Sequence, residues 1–421
     1  MSRVTALAAG ALASAVVLAG CGLGDEESEG ATPQLILESA GESARPGEAA
    51  PPTFPSTATS NTIRVAGRDA VEDAAGVVSA IYPATGESDR PQAVTLVDER
   101  DWQGGVAAAV LGSGELGTPI LLTRDDDIPA VTAGTLARLD PGGAVLADRA
   151  QVIRIGERVP EPDDYRATVV EGGDPFETAA AIDELHAEAE GERSGNVMIA
   201  SGEDPGFAMP GAAWAARSGD PVLFTEADEL PEPTRQALEE HEEPNIFVLG
   251  PESVISAEVE EELGELGGRV RRIKGETPVE HAVEFARYRT GDFGWGLVTP
   301  GQNFTIASTT RPLDAAAATP LATNGVFAPL LLTDQVEQLP DRLRGYLLDV
   351  QPGFEENPNQ GVFNRAWILG NQDAVSLSFQ ARIDELLELI PVDTGSGDED
   401  GGGDEAPDAD GLRIDPGPIE P

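Results

Sequence analysis

One phrase is written three times in this chain: "PILLTRDDDIP" at 119–129, "PVLFTEADELP" at 221–231 and "PLLLTDQVEQLP" at 329–340. Each version follows a matching opening stretch, "IRVAGRDAVEDAAGVV" (63–78), "TVVEGGDPFETAAAID" (168–183) and "RRIKGETPVEHAVEFA" (271–286). The glycines Gly67, Gly172 and Gly275 and the glutamates Glu72, Glu177 and Glu280 keep common spacings, about a hundred residues from copy to copy. That period is far above the roughly 20–50 residues of a solenoid repeat. Each unit is long enough to be a small domain, and a fold available to one copy must be available to all three.

Within a unit the local signals agree. A β-branched run ends at the glycine, and Asp69, Asp174 or Thr277 follows as a helix N-cap. The glutamate three positions later completes a capping box. Pro175 and Pro278 take the first helical position, where a missing N–H costs nothing. Buried strands are expected at 93–97, 196–200 and 295–299, and small-residue helices at 104–112, 211–219 and 313–323. The repeated phrase is a nearly continuous apolar run, as in strands buried on both faces. A further helix and the strands 151–156, 245–250 and 365–370 complete the unit. Strands alternating with helices imply an α/β protein with parallel sheets covered on both sides. The second and third units carry an additional helix, with Ser256 as cap of the second unit's copy. The first has only the Pro-rich "ERVPEPDDY" there, and "QPGFEENPNQG" (351–361) reads as a surface loop.

The ends differ from the body. "MSRVTALAAGALASAVVLAGC" has a basic start and a short apolar stretch, as a secretory signal does. "LAGC" resembles the lipobox of bacterial lipoprotein signals, which implies cleavage before Cys21, the one cysteine, and a diacylglycerol on it. Residues 21–61 are acidic and Pro-rich and read as a disordered tether. Residues 393–421 read as a disordered acidic tail. The body then divides into repeats at 62–160, 161–270 and 271–392.

The pattern of a strand, Gly-x-Asp, a helix with "ETA", a "PxLLT" strand and a later strand ending in glycine resembles the cell wall binding repeat 2 family of Gram-positive surface proteins. The resemblance spans roughly 62–392. It implies three Rossmann-like parallel-sheet units about a pseudo-threefold axis and noncovalent attachment to an anionic wall polymer. The family's motif has an arginine three residues after the glycine; here Ala70, Pro175 and Pro278 stand there.

Charge bears on partners. Lys+Arg total 27 and Asp+Glu 75, for a net charge of −48. Such a surface repels nucleic acid, and it opposes an anionic polymer unless cations bridge the two. No two of His186, His241 and His281 are spaced as metal ligands, so neither metal nor cofactor is expected. No nucleophile elbow or HExxH motif is present, and a non-enzymatic role is expected. "GSGELG" (112–117) matches a dinucleotide fingerprint but follows a helix and precedes a strand, the reverse of the working order. Asp125, Asp126 and Asp127 read as a solvated loop that caps the next helix. His281 reads as a surface residue, and Trp214, Trp295 and Trp367 as core. Ligands of open α/β sheets sit beyond the carboxyl ends of the strands. Asp98, Arg124, Ser201, Thr225, Thr299 and Thr333 are placed there as polymer-binding candidates. The sequence thus reads as a membrane-anchored, extracytoplasmic protein that binds a wall glycopolymer or another envelope component. The alternatives are a solute-binding lipoprotein of a transporter, which would show two unlike lobes, and a wall hydrolase.

Overall fold

The computed structural model describes residues 57–86 and 89–392; the signal segment, Cys21, most of the proposed tether and the acidic tail lie outside them. The first repeat runs β1 (Thr62–Val65), α1 (Ala70–Ile81), β2 (Val94–Asp98), α2 (Trp102–Ala107), β3 (Ile120–Thr123), α3 (Ala130–Leu139) and β4 (Val152–Ile155). The second runs β5 (Ala167–Val170), α4 (Pro175–Glu190), β6 (Asn196–Ser201), α5 (Pro205–Ser218), β7 (Val222–Thr225), α6 (Glu232–Glu240), β8 (Asn245–Leu249) and α7 (Ala257–Leu266). The third opens with β9 (Arg269–Ile273), α8 (Pro278–Arg287), β10 (Asn303–Ser308), α9 (Asp314–Ala317), α10 (Thr319–Ala322) and β11 (Leu330–Thr333). It ends with α11 (Asp341–Asp349), β12 (Gly353–Phe354), β13 (Arg365–Leu369), α12 (Leu377–Leu386) and β14 (Ile390–Pro391). None of these helices is long and apolar enough to cross a membrane.

The strands form three four-stranded parallel sheets, β3-β2-β4-β5, β7-β6-β8-β9 and β11-β10-β13-β1. The fourth strand of each sheet is therefore the opening strand of the next repeat in sequence. The third sheet has no repeat after it and takes β1 from the start of the chain, with Thr62 opposite Ala366 and Val65 opposite Leu369. Sheet units and sequence repeats are out of phase by one strand, and the set closes into a ring.

Helix packing follows the same cycle. The second helix of each unit packs on the first helix of the next: α2 on α4, α5 on α8, and α9 on α1. The second helices also meet one another, α5 against α9 and α10 and α9 against α2. These helices are rich in buried alanine, with Ala107–Ala109, Ala212, Ala215, Ala216 and Ala315–Ala318 all buried. Small side chains let the backbones close together. A methyl on Gly105 would lie 2.6 Å from Leu313 Cδ2.

The expected caps form. Asp69, Asp174 and Thr277 accept from the N–H of Glu72, Glu177 and Glu280. Each glutamate reaches back to the N–H just before the cap, at 2.9, 2.7 and 3.1 Å. The opening glycine turns directly against the fourth residue of its helix. A methyl on Gly172 would sit 2.3 Å from the Thr178 nitrogen, and one on Gly275 2.4 Å from the His281 nitrogen. Gly172→Ala is expected to destabilise the protein by about 1–3 kcal/mol, because backbone must move to admit the methyl; urea unfolding measures this, and an unchanged midpoint would show the turn to be pliable.

Two local expectations are corrected. The third unit's central strand is 303–308, not 295–299. The run Phe293–Thr299 is loop, with left-handed glycines at 294 and 296. Its aromatics are used sideways, Phe293 stacked on Phe247 at 3.5 Å and Trp295 edge-on to Trp214. Helix α3 also lacks the expected aspartate cap; Pro129 precedes it with no side-chain bond. The 351–361 insertion contributes β12, which pairs with β14.

Candidate functional site

In a sheet ordered 3-2-4-5 the connections diverge between the second and third strands, and a crevice opens beyond their carboxyl ends. Three positions per unit surround that crevice. The strand end is Asp98, Ser201 or Ser308. Three residues on stands Asp101, Asp204 or Arg311, and six residues on Gly104, Phe207 or Asp314. Across the junction, the fourth residue of the next unit's first helix faces them: Thr178, His281 or Asp73.

Each junction fills this space differently. At the second, Phe207 lies 5.6 Å from the His281 ring and covers Gly250, where a methyl would be 3.0 Å from the Phe207 ring. His281 is fully buried, not a surface residue, because it faces the Gly275 turn. Neither ring nitrogen has a hydrogen-bond partner of good geometry, and burial pushes its pKa down to about 4. At the third, Arg311 covers Gly370 and pairs with Asp73 and, at 3.1 Å, with Asp314. Both carboxyls are buried. Burial pushes Asp73 up to about 6 despite Arg311, and burial together with the Asp73 charge pushes Asp314 well above the usual range.

At the first junction the Asp101 carboxyl turns back onto Gly104 and no side chain covers Gly156. Gly104 stands where Phe207 and Asp314 stand elsewhere, and no atom lies within 4 Å of a methyl placed on Gly156. The result is a cleft of about 730 Å³ between the ends of β2, β4 and β5 and the N-termini of α2 and α4. Gln103 spans its junction edge, donating to the Gly202 carbonyl at 3.1 Å. Six carboxylates line it (Asp98, Asp101, Glu157, Glu171, Asp174 and Glu177) against two arginines, Arg100 and Arg158. Burial raises the Asp101 carboxyl. Burial acts the same way on Asp98, but hydrogen bonds from Arg100 outweigh it and hold Asp98 below its ordinary value.

The polymer candidates separate on this geometry. Asp98 lines the cleft. Arg124 lies at the far edge of the same sheet end, exposed and paired with Glu99 and Asp69. Ser201, Thr225 and Thr333 are at strand ends as expected but buried, with hydroxyls committed to their own turns. Ser201 accepts from Glu203 N–H, Thr225 donates to the Glu229 carbonyl, and Thr333 donates to the Gln335 carbonyl. Thr299 is in the loop before β10, away from any strand's carboxyl end. These four do not come together as a contact surface. Arg100 was not anticipated, and neither was the role of Gly104. Trp214 is buried with its N–H on Asp220, and Trp295 and Trp367 pack against the core. In "GSGELG", Ser113 bonds His186 at 2.9 Å and faces no phosphate-binding helix start.

A family model now bears on this geometry. Residues 170–260 match cell wall binding domain 2 (CWB2). The CWB2 match begins at the last residue of β5 and ends within α7. The amidase enhancer of Bacillus subtilis (strain 168) is 31% identical over 134 residues, 32% of this chain and 17% of that protein. Among solved structures, Cwp6 from Clostridium difficile superposes with a TM-score of 0.61 at 20% identity, over 77% of this chain and 48% of that one. Cwp8 from the same organism gives 0.60 at 21%, over 78% and 52%. The chain thus spans about half of each of these structures and a smaller part of the curated relative. The two structural likenesses extend the shared fold well beyond the CWB2 segment.

Proposed function

We propose that this is a non-enzymatic protein of the cell surface that holds a cell-wall glycan in the first-junction cleft. The observation that carries this reading is the contrast among equivalent sites: the second and third junctions are plugged by side chains and the first is open at the position where such sheets bind ligands. The CWB2 match supports a wall component as the partner. The volume falls within the range of roughly 300–1,000 Å³ usual for ligand sites. The carboxylates can pair with sugar hydroxyls or amines. Six acids against two arginines repel phosphate and carboxylate groups, so an anionic polymer would enter by its hydroxyl face or with bridging cations. Asp98 forms the floor of the site, the exposed Arg100 lies over it, and Arg124 offers a positive contact beside it. A lipid on Cys21 would hold the body at the outer face of the membrane, leaving the cleft for recognition instead of anchorage.

The test is sedimentation with purified cell walls. Glu171 is exposed at the cleft mouth, and Glu171→Trp is expected to weaken saturable wall binding at least tenfold without altering the unfolding midpoint. Equal retention of the variant would remove the cleft as the site; no retention of the unaltered protein would remove the wall as the partner.

A further inference from the structure

The fourth strand of the third sheet is the one ring element that sequence does not tether to its neighbours in that sheet. Strands β5 and β9 run on from the units they complete, whereas β1 and β13 lie at opposite ends of the described chain. The slot for β1 is built around one side chain. Arg64 is 1% exposed and donates to Gln380 Oε1 at 2.8 Å, to the Gly370 carbonyl at 2.8 Å and to the Ser376 carbonyl at 3.2 Å. Gln380, itself fully buried, donates to Thr62 Oγ1 at 2.9 Å. Asp384 accepts from the Asn61 N–H at 2.7 Å. The second sheet repeats the clamp. There Arg272 on β9 donates to the Gly250 carbonyl at 3.1 Å and to Glu260 at 2.8 Å, residues equivalent to Gly370 and Gln380. The slot therefore recognises an extended segment with arginine at one register position, and it does so through contacts indifferent to which chain supplies the segment.

We infer that this slot is a strand-exchange site between copies of this chain: residues 57–66 of one copy close the ring of a second. The closed monomer and the exchanged pair contain the same strand and clamp contacts, so the balance rests on the short connection at 66–68 and on local concentration. Crowding on a surface favours exchange, and dilution favours self-closure. The connection must straighten for exchange. That releases the Gly67 N–H from Asp73, the Gly67 carbonyl from the Asn371 N–H and the Arg68 N–H from Glu72, three local bonds.

Complementation between two full-length variants tests this. Arg64→Ala spoils the donated strand and leaves the slot intact; Gln380→Arg spoils the slot and leaves the strand intact. Mixed in equal amounts, they are expected to form a mixed two-copy species, seen by native mass spectrometry, at least tenfold in excess of either variant's own pair. In that species the intact strand sits in the intact slot. No mixed species, or the same pairing by Arg64→Ala alone, overturns the proposal. Should either variant fail to fold, light and isotopically heavy copies of the unaltered protein are mixed at high concentration. A mixed-mass pair is the expected result, and purely homogeneous masses overturn the inference.

Discussion

Arg311→Ala is expected to cost about 3–5 kcal/mol of unfolding free energy, the largest single-residue effect in the ring. Its guanidinium is the only cation paired with either Asp73 or Asp314 among the described residues, and both carboxylates are essentially buried. Removing it leaves two acids facing each other in a low-dielectric junction. They can be accommodated only by taking up protons, so the variant's stability should rise as pH falls. The direction follows from Asp73, whose folded pKa of about 6 already exceeds its ordinary 3.8. A raised carboxyl contributes stability that is complete below the ordinary value and is lost as pH rises through the folded one. Adding Asp73→Ala to Arg311→Ala should recover part of the loss, because it removes one unpaired charge. Denaturant unfolding of the single and double variants decides the matter. A loss below about 1 kcal/mol for Arg311→Ala would mean that water reaches the acids and that the junction is not sealed.

The second junction should respond to acid in the opposite sense. His281 has a folded pKa of about 4 against an ordinary 6.5, so its neutral form is the one that folds. A depressed histidine contributes stability that is complete above 6.5 and is lost as pH falls toward the folded value. The loss across that window is about 3 kcal/mol. The groups around the ring are Phe207, Phe285 and backbone, and no side-chain acid is hydrogen-bonded to it to hold a proton there. His281→Phe should flatten the slope of stability against pH between 6.5 and about 4, whatever it does to absolute stability. An unchanged slope would assign acid sensitivity to other groups, such as the buried His186.

Most of the fold was legible because three copies report the same pattern. The caps at Asp69, Asp174 and Thr277 and the doubly buried phrase strands stand where periodicity and capping chemistry put them. The phase of the sheets was not legible. A cyclic pattern reads the same wherever the cut is made, and only hydrogen bonding shows that β5 belongs to the sheet before it. The misplaced third strand has a local cause: "WGLVT" and "FTIAS" are both apolar and β-branched, and the glycines that bend the first into a loop are also compatible with a strand's end. The cleft was hidden for a different reason. It is created by Gly104, a residue that reads only as a weak helix former, and by what the next unit places opposite it. The hydroxyls of Thr225 and Thr333 turn inward because the end of a parallel strand is also where the chain must turn, and both brace those turns.

The differences among the three junctions also constrain how the gene can change. Tandem copies invite recombination, and a conversion tract carrying the middle copy over the first would replace Gly104 with a phenylalanine and seal the cleft. The same event over the last copy would put an aspartate in place of Arg311 and a phenylalanine in place of Asp314, leaving Asp73 without its cation. Homogenising the copies would thus erase what distinguishes the faces of the ring, so selection on either feature should keep the three segments diverging in sequence while their backbones stay alike.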